Sequence, residues 1–347
     1  MDMAQTSPNG GEPARLGRFF WASLAVLGIV ILAAVVTFVG RHHRPTADPG
    51  LGFADSGAPD PVPDAKIAIG GTLYYLKAGD KTSQLWSWRT GGEGKSVYSV
   101  NGRWMFDTAG LSADGRFLAY VSDRAELVVR DLSAGTERVV VAGLALGEQV
   151  CQDAVWAPDG KPMVLTQNGV DASGAPKLQW FDVTTGAAAS TAVKVGGCFA
   201  RPVARTDGGY DLYYLSKGDV YWQTPDGNAA ATGLGPAVSD TVGEPVRALG
   251  GVSPDGKKVC VLTGDGGPLK KRALDCSVIA DIATTRVEPL KDVPDSGVRG
   301  PVLFMPDGRR VARFSNFVSL RGLDGIPTGT EPEPESIKDL WLLAYVS

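Results

Sequence analysis

Five Asp-Gly turns recur through the C-terminal two thirds of this chain, and their aspartates, Asp114, Asp159, Asp207, Asp255 and Asp307, stand 45 to 52 residues apart. They sit in LSADGRFLAY, WAPDGKPMVL, ARTDGGYDLYY, VSPDGKKVCVL and FMPDGRRVARF. A period of that length marks an array of similar units, and strand-rich filling between the turns makes those units the blades of a β-propeller. An ordinary β-sandwich carries similar hairpins, but five in register point to the array.

The physics of each repeat is local. An apolar or small residue stands three before each aspartate: Leu111, Trp156, Ala204, Val252 and Phe304. Pro fixes φ in three of the turns, Asp accepts nearby backbone N–H groups, and Gly takes a positive φ without strain. A basic residue follows in four of the five, Arg116, Lys161, Lys257 and Arg309, and then an apolar strand.

The remaining sequence fits four strands per unit. After SADGRFLAYVS come ELVVRDLSAG and TERVVVAGL, and Thr224–Gly227 forms a second turn within its own unit. A sixth copy lacks its first strand: GGTLYYLKAGD (70–80) matches GGYDLYYLSKGD (208–219). Residues 66–347 divided by six give about 47 per unit, an ordinary blade length. The expectation is an all-β, six-bladed propeller over residues 65–347. In the last blade, 316–338 reads as an acidic, Pro-containing insertion (EPEPE), after which KDLWLLAYVS returns as strand. Ala65–Ile69 is expected to complete that blade beside the C-terminus and close the ring, which removes free sheet edges.

At the other end, Phe19–Gly40 is an uncharged run of 22 residues. As a helix it would span roughly 33 Å, enough for a hydrocarbon core of about 30 Å. A cleaved signal peptide would have a shorter apolar core and a small-residue exit. Here the exit carries Phe38 and Val39, so the run reads as an uncleaved transmembrane signal-anchor. Two arginines flank it on each side, so the positive-inside rule does not orient it. The short polar tail 1–18 and four cysteines confined to the propeller place the tail in the cytoplasm and the propeller outside. Residues 41–64 then read as a Pro- and Gly-containing linker. From residue 45 on there are 30 basic and 36 acidic residues. That balance gives no basic stripe for nucleic acid.

The segments WAPDGK, VSPDGKK and FMPDGRR resemble the propeller repeats of TolB and of TolB-like, WD-repeat-like proteins. Together with the anchor, the chain resembles the membrane-anchored TolB-like translocation proteins of high-GC Gram-positive bacteria. The resemblance covers about residues 66–347 and implies a propeller; a rigid ring bearing long loops suits presenting one face to a protein or cell-envelope partner. TolB itself has an α/β domain before its propeller, whereas here the linker runs directly into the first blade.

Catalytic signatures are sparse. The two histidines, His42 and His43, stand beside the anchor, so the propeller can form neither a Ser-His-Asp triad nor a histidine-ligated metal site. GGEGKS (91–96) resembles the end of a phosphate loop, but Arg89 stands where Gly is required and the strand-like SVYSV follows, so it reads as a hairpin turn. The expectation is therefore a non-catalytic binding module with no catalytic residue, cofactor or metal. The alternative is a carboxylate-dependent enzyme of the channel, hydrolysing a glycan or a lactone. Trp86, Trp88, Tyr98 and Trp104 cluster in sequence near the first blade and are candidate binding aromatics. Alternation places Trp86 and Trp88 on one sheet face, which favours core.

Cys151, Cys198, Cys260 and Cys276 allow three connectivities. Cys260 and Cys276 flank a loop centred on Pro268, in the second and third strands of one blade. Cys151 and Cys198 stand eight and nine residues before successive turn aspartates, hence at near-equivalent positions of adjacent blades. The expected pairs are Cys151–Cys198 and Cys260–Cys276, against the alternative of four buried thiols.

Overall fold

The computed structural model describes residues 69–79, 81–146, 150–189, 193–264, 276–290, 302–314 and 317–347. The expected tail, anchor and linker, together with residues 65–68, lie outside the described residues. Among the described residues no helix is long and apolar enough to cross a membrane.

Six four-stranded antiparallel sheets follow one another along the chain. Blade one contains β1 (Thr72–Ala78), β2 (Thr82–Trp88) and β3 (Lys95–Asn101). Blade two holds β4 (Gly110–Leu111), β5 (Phe117–Val121), β6 (Leu127–Asp131) and β7 (Thr136–Val141). Blade three holds β8 (Val155–Trp156), β9 (Met163–Val170), β10 (Pro176–Asp182) and β11 (Val193–Lys194). Blade four holds β12 (Cys198–Ala204), β13 (Tyr210–Ser216), β14 (Asp219–Gln223) and β15 (Ala229–Ala231). Blade five holds β16 (Val246–Val252), β17 (Lys258–Thr263), β18 (Val278–Asp281) and β19 (Val287–Pro289). Blade six holds β20 (Val302–Phe304), β21 (Arg310–Arg313), β22 (Phe317–Arg321) and β23 (Pro327–Pro332). The chain ends on β24 (Trp341–Val346), which pairs with β1 and completes blade one. The architecture is an all-β six-bladed propeller.

Two expectations about the ring change. Residues 316–338 are not an insertion: they supply β22 and β23, with Phe317 opposite Pro332 and Leu320 opposite Gly329. The two prolines of β23, Pro327 and Pro332, do not break the sheet because β23 is its edge strand, where a missing N–H faces outward, and Pro334 follows the strand. The C-terminal strand completes blade one, not blade six, pairing Thr72 with Val346 and Tyr74 with Ala344. The ring is thus closed by one blade built from both ends of the propeller sequence.

Packing follows the same plan. Each of the six blade-to-blade interfaces has its own buried apolar cluster. Tyr75, Trp88, Val311 and Leu342 join blades six and one. Val203, Leu249 and Val261 join blades four and five. The β-branched and aromatic residues of the period-two strands supply this packing from both faces of each sheet.

In all five repeats the glycine of the turn has a positive φ, from 69° at Gly115 to 85° at Gly208. Each turn aspartate accepts the backbone N–H two residues on, as at Arg116 to Asp114, 3.0 Å, and Lys257 to Asp255, 3.1 Å. These bonds hold all five carboxyls below the usual aspartate range. For Asp114 the bond from the Ser112 hydroxyl is the largest cause, and for Asp207 the bond from Arg205. For Asp159, Asp255 and Asp307 partial burial is the largest single influence and pushes upward, but the bonds together outweigh it.

Among the described residues two α-helices interrupt the strands, α1 (Trp104–Thr108) before blade two and α2 (Leu234–Val242) before blade five, and a 3-10 turn (Glu335–Ile337) precedes β24. Gly233 and Gly243, both left-handed, bound α2. The Asp219 carboxylate receives the N–H groups of Gly233 and Gly235, at 3.0 and 2.7 Å, and so satisfies the first turn.

Candidate active site in the central channel

The first strands of the six blades, β24, β4, β8, β12, β16 and β20, surround a central channel. It holds a cavity of about 310 Å³. That is near the lower end of small-ligand sites, which run from about 300 Å³. Its walls are mostly small or apolar: Gly110, Ala113, Ala154, Pro202, Gly251 and Leu303 contribute. Trp156, Phe304 and Tyr345 add half-buried aromatic rings from blades three, six and one. Burial, the largest influence on the Tyr345 hydroxyl, keeps it protonated and hence a donor.

Among the described residues the cavity has one acidic and one basic lining residue, Asp153 and Arg201. They come from adjacent blades and form an ion pair, Arg201 Nη1 to Asp153 Oδ1 at 2.6 Å. Arg201 is 7% exposed. Its Nε donates to the carbonyl of Gly250 on blade five at 3.1 Å, and Nη1 also reaches the carbonyl of Ala200. One guanidinium therefore bonds groups of blades three, four and five.

The backbone is shaped to place this side chain. The β12–β13 register shifts between Cys198 and Arg201, and Phe199 there adopts a φ of 59°. A non-glycine residue in that region costs about 1–3 kcal/mol. A bulge of this kind redirects the next side chains and is common beside active sites. A second shift, between Leu249 and Gly251, leaves Gly250 outside the ladder of β16 with its carbonyl on Arg201.

Gln152 holds the pair from behind. It is 2% exposed; its Nε2 donates to the Ala200 carbonyl at 3.1 Å, and its Oε1 accepts the Ala200 N–H at 2.7 Å. The same Nε2 lies 3.3 Å from Asp153 Oδ1. The disulfide Cys151–Cys198, with a Cα separation of 5.4 Å, ties the two blades directly before these residues.

One atom stands out. Nη2 of Arg201 is buried and has no hydrogen-bond partner among the described residues. A buried donor left without an acceptor costs about 1–3 kcal/mol. The atom is closed off from solvent as well, so a ligand reaches it only when the Arg201 side chain turns.

The candidate aromatics do not come together here. Trp88 is 2% exposed and belongs to the core between blades six and one, with Nε1 on the Gly92 carbonyl. Trp86 packs against the same core, as alternation predicts. Trp104 is 37% exposed on α1. Tyr98 bonds Tyr120 and Glu137 at the interface of blades one and two, where burial and then the Glu137 bond push its hydroxyl up to about 12. None of the four lines the cavity. The repeat aspartates lie in turns, not in the channel. The second disulfide, Cys260–Cys276, is present with a Cα separation of 5.5 Å. It is not directly cross-strand, because Cys260 faces Ile279.

Sequence reading overlooked Asp153 and Arg201, although a signal was there. Once Cys151 and Cys198 occupy equivalent positions, the acid two residues after one and the base three residues after the other must be neighbours.

No protein-family model matches the chain, and no curated protein is similar to it. Solved structures of similar fold include an oligogalacturonate lyase in complex with manganese, at 18% identity over 78% of this chain and 77% of that one, with a TM-score of 0.45. A second oligogalacturonate lyase, from Vibrio parahaemolyticus, is 14% identical over 75% and 74%, with a TM-score of 0.43. A quinonprotein alcohol dehydrogenase-like protein from Bacteroides thetaiotaomicron is 10% identical over 80% and 70%, with a TM-score of 0.41. These likenesses are of fold. Two of these propellers are lyases, which stands against the expectation of a non-catalytic binding module; the likeness is one of fold and assigns no activity to this chain. Among the described residues no three His, Cys, Asp or Glu side chains converge in a way that could hold a metal ion.

Proposed function

We propose that this protein is a carboxylate-dependent hydrolase whose active site is the central channel and whose substrate carries a lactone or similar ester carbonyl. The observation that carries this reading is the Asp153–Arg201 pair, the one acid and the one base among the described residues that line the channel cavity. Glycoside hydrolysis calls for two flanking carboxyl groups. The described lining offers one, which turns the choice toward an acyl carbon.

Asp153 removes a proton from water as the water oxygen bonds to the carbonyl carbon. The π electrons move to the carbonyl oxygen, whose growing charge the Arg201 guanidinium offsets, with Nη2 bonding it once the side chain turns to expose that atom. A fixed cation beside charge that develops in the transition state stabilises it more in a water-poor cavity than in water. Collapse restores the carbonyl and breaks the ring C–O bond, and the leaving oxygen recovers the proton from Asp153. Atoms and charge balance without a cofactor. With residues 19–40 as the anchor, we place this chemistry on the extracytoplasmic side of the cell membrane.

The test is turnover of δ- and γ-lactones by the full chain in detergent, followed by proton release. Asp153→Asn should lower kcat by about a hundredfold or more, the scale of a lost general base. Turnover unchanged in Asp153→Asn, or no turnover of any lactone by a folded wild-type protein, would reject the reading.

A further inference from the structure

We infer that the channel selects an uncharged, hydroxyl-rich ring, such as a neutral sugar lactone, over its acidic counterpart. This deepens the hydrolase reading and uses the same site, but it rests on the charge count and the donors, not on turnover.

Arg201 alone would attract an anion. It is not alone: Asp153 Oδ1 stands 2.6 Å from its Nη1, so the ionisable lining is already neutral. A ligand carboxylate on Nη2 would leave the cavity with net charge −1. Burying an uncompensated charge costs more than one further hydrogen bond returns. A neutral oxygen has no such cost and still gives Nη2 its missing acceptor. No hydrogen bond reaches Asp153 Oδ2 from any described residue, so a hydroxyl on the same ring can donate there. A donor and an acceptor side by side fit adjacent oxygens of a polyol. The rings of Trp156, Phe304 and Tyr345 provide apolar faces for the C–H side of such a ring. The volume of about 310 Å³ admits one ring, not an extended chain.

Two matched, hydrolysis-resistant probes test this by calorimetry on the full chain in detergent: gluconolactam, which is neutral, and glucarolactam, the same ring with a carboxylate. The expected result is saturable binding of gluconolactam, at least about tenfold tighter than glucarolactam. Its affinity should not change with salt, because no ion pair forms on binding. Arg201→Lys, which keeps the charge but loses the planar fork, should weaken gluconolactam about tenfold. Equal or tighter binding of glucarolactam overturns the inference, as does binding of neither probe by protein that unfolds cooperatively. The wild-type comparison decides even where Arg201→Lys does not fold. Gluconolactam binding without lactone turnover would remove the hydrolase reading and leave this inference standing. Turnover confined to acidic lactones would do the reverse.

Discussion

The hydroxyl of Tyr75, on β1, donates to Oε1 of Glu333 at 2.8 Å and so links the first sequence blade to the last. Glu333 directly follows β23, and its side chain is 0% exposed. Arg313 holds the same carboxylate through Nε and Nη2. Breaking a buried pair by removing one partner costs about 3–5 kcal/mol. Glu333→Ala should therefore lower the unfolding free energy by about that much in urea titrations. A loss below about 1 kcal/mol would mean that the contact does not help close the ring.

The same carboxyl has a pH signature. Burial pushes it above the ordinary glutamate value, while the bond and charge of Arg313 and the Tyr75 bond pull it back only in part. Since the folded value is the higher one, its contribution to stability is complete below the unfolded value. It is lost as pH rises through the folded value. Stability measured upward from about pH 4 should fall in the wild type relative to Glu333→Gln, which has no proton to lose there. Parallel pH profiles in the two proteins would contradict the shift.

The repeat turns separate two costs. In Gly115→Ala and Gly160→Ala the new Cβ faces φ values of 69° and 77°, worth roughly 1–2 kcal/mol of backbone strain in either case. At Gly160 nothing lies within 4 Å of it, whereas at Gly115 it would meet Val346 at 3.0 Å. Gly115→Ala should therefore be the more damaging change by equilibrium unfolding, because it also presses on the closing strand β24. An equal loss at both sites would show that β24 yields freely.

Both disulfides should survive non-reducing peptide mapping as Cys151–Cys198 and Cys260–Cys276. They close spans of 47 and 16 residues. Loop-closure entropy assigns the longer one about 4 kcal/mol and the shorter about 3. Replacing each pair by serine should thus lower the urea midpoint, with Cys151–Cys198 the larger loss. The reverse order would mean that the buried setting of Cys260 and Cys276 between blades five and six outweighs chain entropy.

Periodic features were legible in the sequence, and single crossings were not. The five turns showed themselves because Asp and Gly answer local backbone demands that recur in every blade. The closing strand could be recognised as a strand, but its partner could not: pairing of β24 with β1 is a long-range choice, and propensity is silent on it. The helices α1 and α2 were missed for another reason. LGPAVSDTV carries Gly and Pro, and its helix is held by Asp219 from a different blade. The site depends on bulges at Phe199 and Gly250, and a one-residue register shift leaves no mark in composition.

Gln152 is a positioning residue, and its removal should separate geometry from chemistry. Its side chain closes a two-bond ring with the backbone of Ala200 and steadies the Asp153 carboxylate. Gln152→Leu keeps the volume nearly constant but leaves the buried Ala200 N–H without its acceptor, a loss of about 1–3 kcal/mol. The Asp153–Arg201 bond remains, so the substrate carbonyl still finds Nη2 and KM should change little. The base is then held from one side only. A misplacement of about 1 Å costs on the order of a hundredfold in rate, so the loss should fall on kcat. A loss of stability with kcat intact would confine Gln152 to the scaffold. A rise in KM at constant kcat would instead place it in contact with the substrate.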